Sequence, residues 1–483
     1  MYISYSIIIN CLYVYCIYTS LLPVDTFRII PRLKSSQFTL YDIPDKPSDK
    51  SLVGNVFTKI RNRFRSNDVR ILDSINGFYG LIGPDVNISK TNNLFEFFTG
   101  DGIIQGVFIR DGVITPICHK IKTEKRMFEK EHNMRFSQNM MMMPVYMALH
   151  GMGIIPNILG LSNTAMLEIQ SRVFTLFERD FPYEIQVDCQ SQELRTIGKQ
   201  YIPHLPHFSA HSKYDARQRL IHSIDYNVAF KSVQYSILDN TFRHLFRMKF
   251  KCHYFPVIHD FGLYDGNCIL VDSPLCFRPE KILLRKTPFV LNGKMNTYIN
   301  VYNSRIDVLK TYVVENNGFY VFHYADINED ERTIQILAPL YDNLDFSSLD
   351  IEGKYRRIVI HKETGKVAIE KNDILESMNL DFPIKWNDKI ILRSVNNRRI
   401  DGFVVCDGLK ILHKMFYDDV SFCGEPRLVH SGNRDILISL GYKYGNMDDG
   451  YLFLIDVNHP HKLHHYKLNV PVNIGFHSIF LHK

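Results

Sequence analysis

Pro256-Val-Ile-His259 is a short apolar run that ends on an imidazole, and the pattern recurs at Phe208-Ser-Ala-His211, Tyr320-Val-Phe-His323 and Ile474-Gly-Phe-His477. The four histidines stand 48, 64 and 154 residues apart, so no local motif holds them together. Imidazoles carried by four separate strand-like runs reach one metal ion only if the fold sets those strands around a common axis. That requirement points to an all-β fold of the β-propeller type with an all-histidine metal site.

The rest of the chain agrees with many short strands. Gly-centred turn signals recur at Asn76-Gly77, Asp111-Gly112, Asp265-Gly266, Asn292-Gly293, Asp407-Gly408 and Asp449-Gly450. Apolar runs such as Gly106-Val-Phe-Ile-Arg110, Cys268-Ile-Leu-Val271 and Tyr451-Leu-Phe-Leu-Ile455 lie between such turns and read as strands. No WD40-like or kelch-like repeat is visible, so the blades have diverged in sequence. One region departs from the pattern. Lys120 to Arg135 is densely charged and reads as helical, and it leads into the Met-rich, nearly uncharged stretch 139–159. This insertion, around 117–160, is expected to form a helical cap, either packed on the propeller with Met filling gaps or offering a patch to one membrane leaflet.

Composition narrows the class. The 483 residues are 45% hydrophobic and 13% aromatic, enough for a sizeable core. The net charge of +6 is mild, and no nucleic-acid partner is expected. Nine scattered cysteines without a CxxC pair fit a reducing, cytoplasmic setting. Met1 to Val24 carries no charge. Residues 1–60 are read as an N-terminal extension, either a membrane anchor or disordered, and residues 61–483 as one propeller domain.

Imidazole suits Fe, Cu, Ni and Zn alike. The close-spaced Cys/His pairs of structural zinc and the HExxH of hydrolytic zinc are missing from the sequence. Four neutral ligands leave a divalent ion its full charge, so carboxylates behind the imidazoles are expected.

The motifs around these histidines resemble the carotenoid cleavage oxygenase family, from about Asn76 to Lys483. Ser209-Ala-His-Ser-Lys-Tyr-Asp215 is similar to its first ligand motif, although a Pro usually follows that His. Val257-Ile-His-Asp-Phe261 and Phe322-His-Tyr-Ala-Asp326 are similar to the second and third. Asp448-Asp-Gly-Tyr451 with Ile474-Gly-Phe-His477 resembles the C-terminal signature, and Phe97-Phe-Thr-Gly-Asp-Gly-Ile103 an early turn. Asn76-Gly-Phe-Tyr-Gly-Leu-Ile-Gly-Pro84 resembles the entry strand without its usual Arg-Asn-Gly-Pro.

The resemblance implies a seven-bladed propeller with a helical cap over the metal-bearing face and Fe(2+) held by His211, His259, His323 and His477. It implies supporting carboxylates at Glu178, Asp381 and Glu425, and the small Thr164 near an open coordination position. Asp381 stands where the family has Glu, one methylene shorter, which leaves its imidazole to be held through water or by a shifted backbone. The implied activity is a non-heme Fe(II) dioxygenase that splits a conjugated double bond of a carotenoid or apocarotenoid with O2. Retinyl-ester isomerohydrolase, stilbene-cleaving dioxygenase and an inactive propeller that binds lipid or protein are the alternatives. Such apolar substrates imply a peripheral membrane contact through 139–159.

Overall fold

The structure, a computed structural model, describes residues 69–86, 91, 97–136, 142–205, 207–283, 287–348 and 350–483. The N-terminal extension and positions 139–141 of the Met-rich stretch lie outside them.

Strands follow one another in seven antiparallel units, numbered here as blades. Blade 1 spans 77–120, blade 2 165–199, blade 3 213–251, blade 4 262–314, blade 5 320–370, blade 6 380–416 and blade 7 420–467. Blades 6 and 7 share one sheet through the single pair Ile400↔Phe422. The last strand, Ser478–His482, returns to pair antiparallel with Gly77–Pro84, so the C-terminal segment completes blade 1. The fold is the propeller that the sequence suggested.

Side-chain alternation explains why these strands read as nearly continuous apolar runs. Within blade 1, Phe78, Ile82, Ile104 and Phe108 pack with Tyr183, Ile185 and Leu194 of blade 2. Their alternates Tyr79, Leu81, Val107 and Ile109 pack with Ile436, Ile438, Leu452 and Leu454 of blade 7. Both faces of the sheet are therefore buried. Similar clusters join blades 2 and 3, 3 and 4, 4 and 5, 5 and 6, and 6 and 7. With the contact between blades 7 and 1 they close a ring. Each fully buried Leu or Phe in these seams contributes roughly 1.5–3 kcal/mol.

The turns behave as their sequences require. Asp111-Gly112 and Asp265-Gly266 both take positive φ at both residues, the backbone that a tight hairpin needs. The charged stretch forms the helix Glu124–Glu131, capped by the Thr123 side chain. Lys125 and Arg126 bond to Asp101 and Asp85, beside blade 1. A second helix, Met143–Gly151, buries none of its residues. No helix among the described residues is long and apolar enough to cross a membrane.

Candidate metal centre

The four histidines sit at four blade edges. His211 precedes the strand Lys213–Asp215, His259 precedes Gly262–Tyr264, His323 lies between Tyr320–Val321 and Asp326–Glu329, and His477 directly precedes Ser478–His482. Each of these strands is the edge strand of its sheet. The reading that every run ends a strand needs correction, because only Tyr320–Val321 lies in one. The reason is geometric. A residue within a ladder points its side chain at the neighbouring blade. Only loop residues at the edge are free to aim at the axis.

All four rings meet there. One ligand atom from each lies within 4.8 Å of all the others. His211 Nε2 is 2.9 Å from His259 Nε2, and His323 Nε2 is 3.2 Å from His477 Nε2. Their opposite nitrogens face carboxylates: His259 Nδ1 meets Glu178, His323 Nδ1 meets Asp381 Oδ1 at 2.8 Å, and His477 Nδ1 meets Glu425 Oε1 at 3.3 Å. An ionised carboxylate only accepts, so each of these Nδ1 atoms carries the proton, and the Nε2 of each neutral ring carries a lone pair. The lone pairs of His323 and His477 thus face each other across 3.2 Å in a buried site. A cation between them removes the conflict. Two nitrogens bound at about 2.1 Å and at right angles stand about 3 Å apart, so the spacing fits a metal ion.

Burial and the three neighbouring imidazoles push His211 well below the usual imidazole range. Burial also pulls His259 down, but the Glu178 carboxylate outweighs it and holds the ring above that range. His477 lies below the range through burial, despite Glu425. Burial would raise the Asp381 carboxyl, yet His323, the Tyr341 hydroxyl and the Arg393 charge hold it down to about 2.

Local structure explains how each support reaches its ring. At Asp381 the ladder with Lys389–Asn396 slips, leaving a bulge between Asp381 and Ile384. Phe382 takes φ +54° there, and its backbone N–H donates to Asp381 Oδ1 at 2.8 Å. A shifted backbone, rather than water, lets the shorter carboxylate touch His323 directly. Glu425 spans two residues, since its Oε2 accepts from Ser478 N at 2.8 Å. Gly475 lets the segment ahead of His477 run close against the strand Gly77–Pro84. A Cβ there would stand 2.6 Å from Leu81 Cγ and 2.8 Å from the Ile82 carbonyl oxygen. Thr164 directly precedes Ala165–Ile169, the edge strand of blade 2, and its buried hydroxyl donates to Asn163 Oδ1 at 3.0 Å. Thr164 thus holds the place in blade 2, just ahead of the edge strand, that His477 holds in blade 1.

Three neighbours carried no signal of their own in the sequence. The Tyr341 hydroxyl donates to Asp381 Oδ2 at 2.5 Å. Phe382 lies against His323 and His477, with ring centroids 4.7 and 4.8 Å away. Arg393 stands opposite Asp381 in the ladder, its guanidinium 3.7 Å from the Phe382 ring centre. Phe382 also joins Phe97 and Phe476 in an apolar cluster.

A model of the retinal pigment epithelial membrane protein family matches residues 70–482, a span that includes all four histidines. The chain belongs to the carotenoid cleavage oxygenase family. Among family relatives, carotenoid 9,10(9',10')-cleavage dioxygenase 1 of Pisum sativum is 24% identical over 346 residues, 64% of this chain. The match spans 61% of the pea protein's length. The carotenoid 9,10(9',10')-cleavage dioxygenase of Crocus sativus is 24% identical over 80% of this chain and 77% of its own. Family structures share the fold. A lignostilbene dioxygenase of Pseudomonas brassicacearum superposes with a TM-score of 0.70 at 14% identity, over 92% of this chain and all of its own. A Synechocystis apocarotenoid oxygenase variant gives 0.67 at 15%, over 85% and 93%.

Proposed function

We propose that this chain is a non-heme Fe(II) dioxygenase that cleaves a conjugated double bond of a carotenoid or apocarotenoid to two carbonyl products. One observation carries the reading: four Nε2 atoms from four blades face one point, with carboxylates behind three of them. Fe(II) would be held by His211, His259, His323 and His477 and would supply the redox chemistry that activates O2. The reaction balances without an external reductant. The C=C bond breaks, and each carbon takes one atom of O2.

The chain's own residues do the rest. Glu178, Asp381 and Glu425 hold the Nδ1 protons and so keep the ligand atoms turned inward. The reading gives Thr164 the role of narrowing access beside the centre. Phe322 lies 5.4 Å from the His259 ring, and Phe382 touches two of the imidazoles. Phe97 and Phe476 pack with Phe382, giving the centre an apolar aromatic flank, and the reading has that flank receive a long conjugated substrate. The names of the pea and crocus relatives support that substrate class. Carotenoids reside in lipid, and the reading extends to a peripheral membrane contact through 139–159. Its support is the exposure of Met142, Val145, Met152 and Ile154.

The test uses iron-loaded protein with β-carotene, an apocarotenal, a hydroxylated stilbene and a retinyl ester, each with and without O2. Aldehyde products from the carotenoid or apocarotenal that need O2 are expected. Turnover confined to the stilbene transfers the proposal to that substrate, and O2-independent ester cleavage replaces the dioxygenase with an isomerohydrolase.

A further inference from the structure

Asp260, next to His259, is buried to 4% exposure and belongs to none of the carboxylate–imidazole pairs. Its Oδ1 accepts from the Lys213 ammonium at 2.8 Å and from Phe261 N at 2.7 Å, and its Oδ2 accepts from Tyr324 N at 3.2 Å. Every donor lies just beyond a histidine: Lys213 after His211, Phe261 after His259, Tyr324 after His323. A single carboxylate thereby ties together the segments that leave three of the four imidazoles, on blades 3, 4 and 5. The Lys213 ammonium is held in turn over the Phe261 ring, 5.1 Å from its centroid.

His211 gives this tie its importance. Among the described residues no carboxylate meets its Nδ1, unlike those of His259, His323 and His477. Its backbone N–H donates to Ser209 Oγ at 3.0 Å, a contact within its own loop. The Lys213–Asp260 ion pair connects that loop to the loops of His259 and His323. His477 is set from the other side, by Glu425 through both His477 Nδ1 and Ser478 N.

We infer that Asp260 and Lys213 are a positioning pair of the metal centre, fixing the spacing of His211, His259 and His323 through the backbone that follows them. The inference rests on the reading of the four histidines as a metal site. Removing a group that orients a ligand costs roughly 10- to 100-fold in metal affinity.

The experiment compares the full-length chain with Asp260→Asn, Lys213→Met and Lys213→Arg. Co(II) is the probe, its affinity measured by equilibrium dialysis and its ligand field by the visible spectrum, with thermal unfolding of the metal-free forms alongside. Asp260→Asn is expected to weaken Co(II) binding by about 10-fold or more and to alter the visible band. Lys213→Met is expected to act in the same direction, with Lys213→Arg recovering much of the loss because a guanidinium can still donate to the carboxylate. Should Asp260→Asn not fold, the two Lys213 variants carry the test. Folded variants that bind Co(II) within about twofold of wild type, with an unchanged band, overturn the inference alone. A fall in affinity with an unchanged band and no recovery in Lys213→Arg also overturns it, in favour of general destabilisation. A wild-type chain that binds no Co(II) overturns the metal reading and the inference together.

Discussion

Asp381 shows how a short side chain is accommodated at one residue. It lacks one methylene relative to Glu, and the bulge brings it to His323 regardless. Phe382 in left-handed backbone carries a cost of about 1–3 kcal/mol, offset by its hydrogen bond to Asp381 and by the rings and guanidinium packed on it. Tyr341 satisfies the remaining carboxylate oxygen. Tyr341→Phe leaves that buried oxygen without its donor, so a loss of about 1–3 kcal/mol is expected in denaturant unfolding. Weaker metal binding should accompany it, and an unchanged unfolding midpoint would contradict the role given to the hydroxyl. The four histidines stood out in the sequence because each follows a short apolar run, whereas Glu178, Asp381 and Glu425 were reached only through the family resemblance. Tyr341 and Arg393 carried no signal. Tyr341 meets Asp381 from 40 residues away, and Arg393 meets it through a strand register that no local pattern encodes.

At the scale of elements, strands and turns were legible from alternation and from pairs such as Asp111-Gly112, but the blades were not. Their sequences share no repeat, and their boundaries emerge only from which strands pair. That the four histidines come from loops was equally hidden, since a run such as Pro256-Val-Ile-His259 reads as a strand until its neighbours are known. The seam between blades 1 and 2 carries a further expectation. His119 Nε2 lies 2.9 Å from Thr196 Oγ1, linking Val113–Lys120 to Glu193–Lys199. Burial, then the Lys122 and Arg126 charges, lower its pKa from 6.5 to about 4. The unfolded chain therefore binds the proton more tightly. The contribution to stability is complete above pH 6.5 and is lost as pH falls towards 4, by at most roughly 3 kcal/mol. His119→Gln keeps a polar partner for Thr196 and cannot titrate in this range. Its urea midpoint should fall less than that of wild type between pH 7 and pH 4.5, and parallel falls would contradict the assignment.

For the whole molecule, the ring is the device that makes the site. Seven apolar seams hold the blades in order, and the final strand ties the C-terminal segment to the first strand just after supplying His477. Four imidazoles spread over more than half the sequence thereby reach one point. On the outside, Val145 is 48% exposed and Ile154 57% exposed. Replacing both with Glu should reduce sedimentation with phosphatidylcholine vesicles while leaving metal content unchanged, and equal sedimentation would contradict the proposed lipid contact.

The central claim is that one metal ion joins four blades, and elemental analysis of anaerobically purified, Fe(II)-reconstituted chain tests it most directly. About one iron per wild-type chain is expected, with little retained by a folded His323→Ala variant. A folded wild-type chain that retains no iron would contradict it.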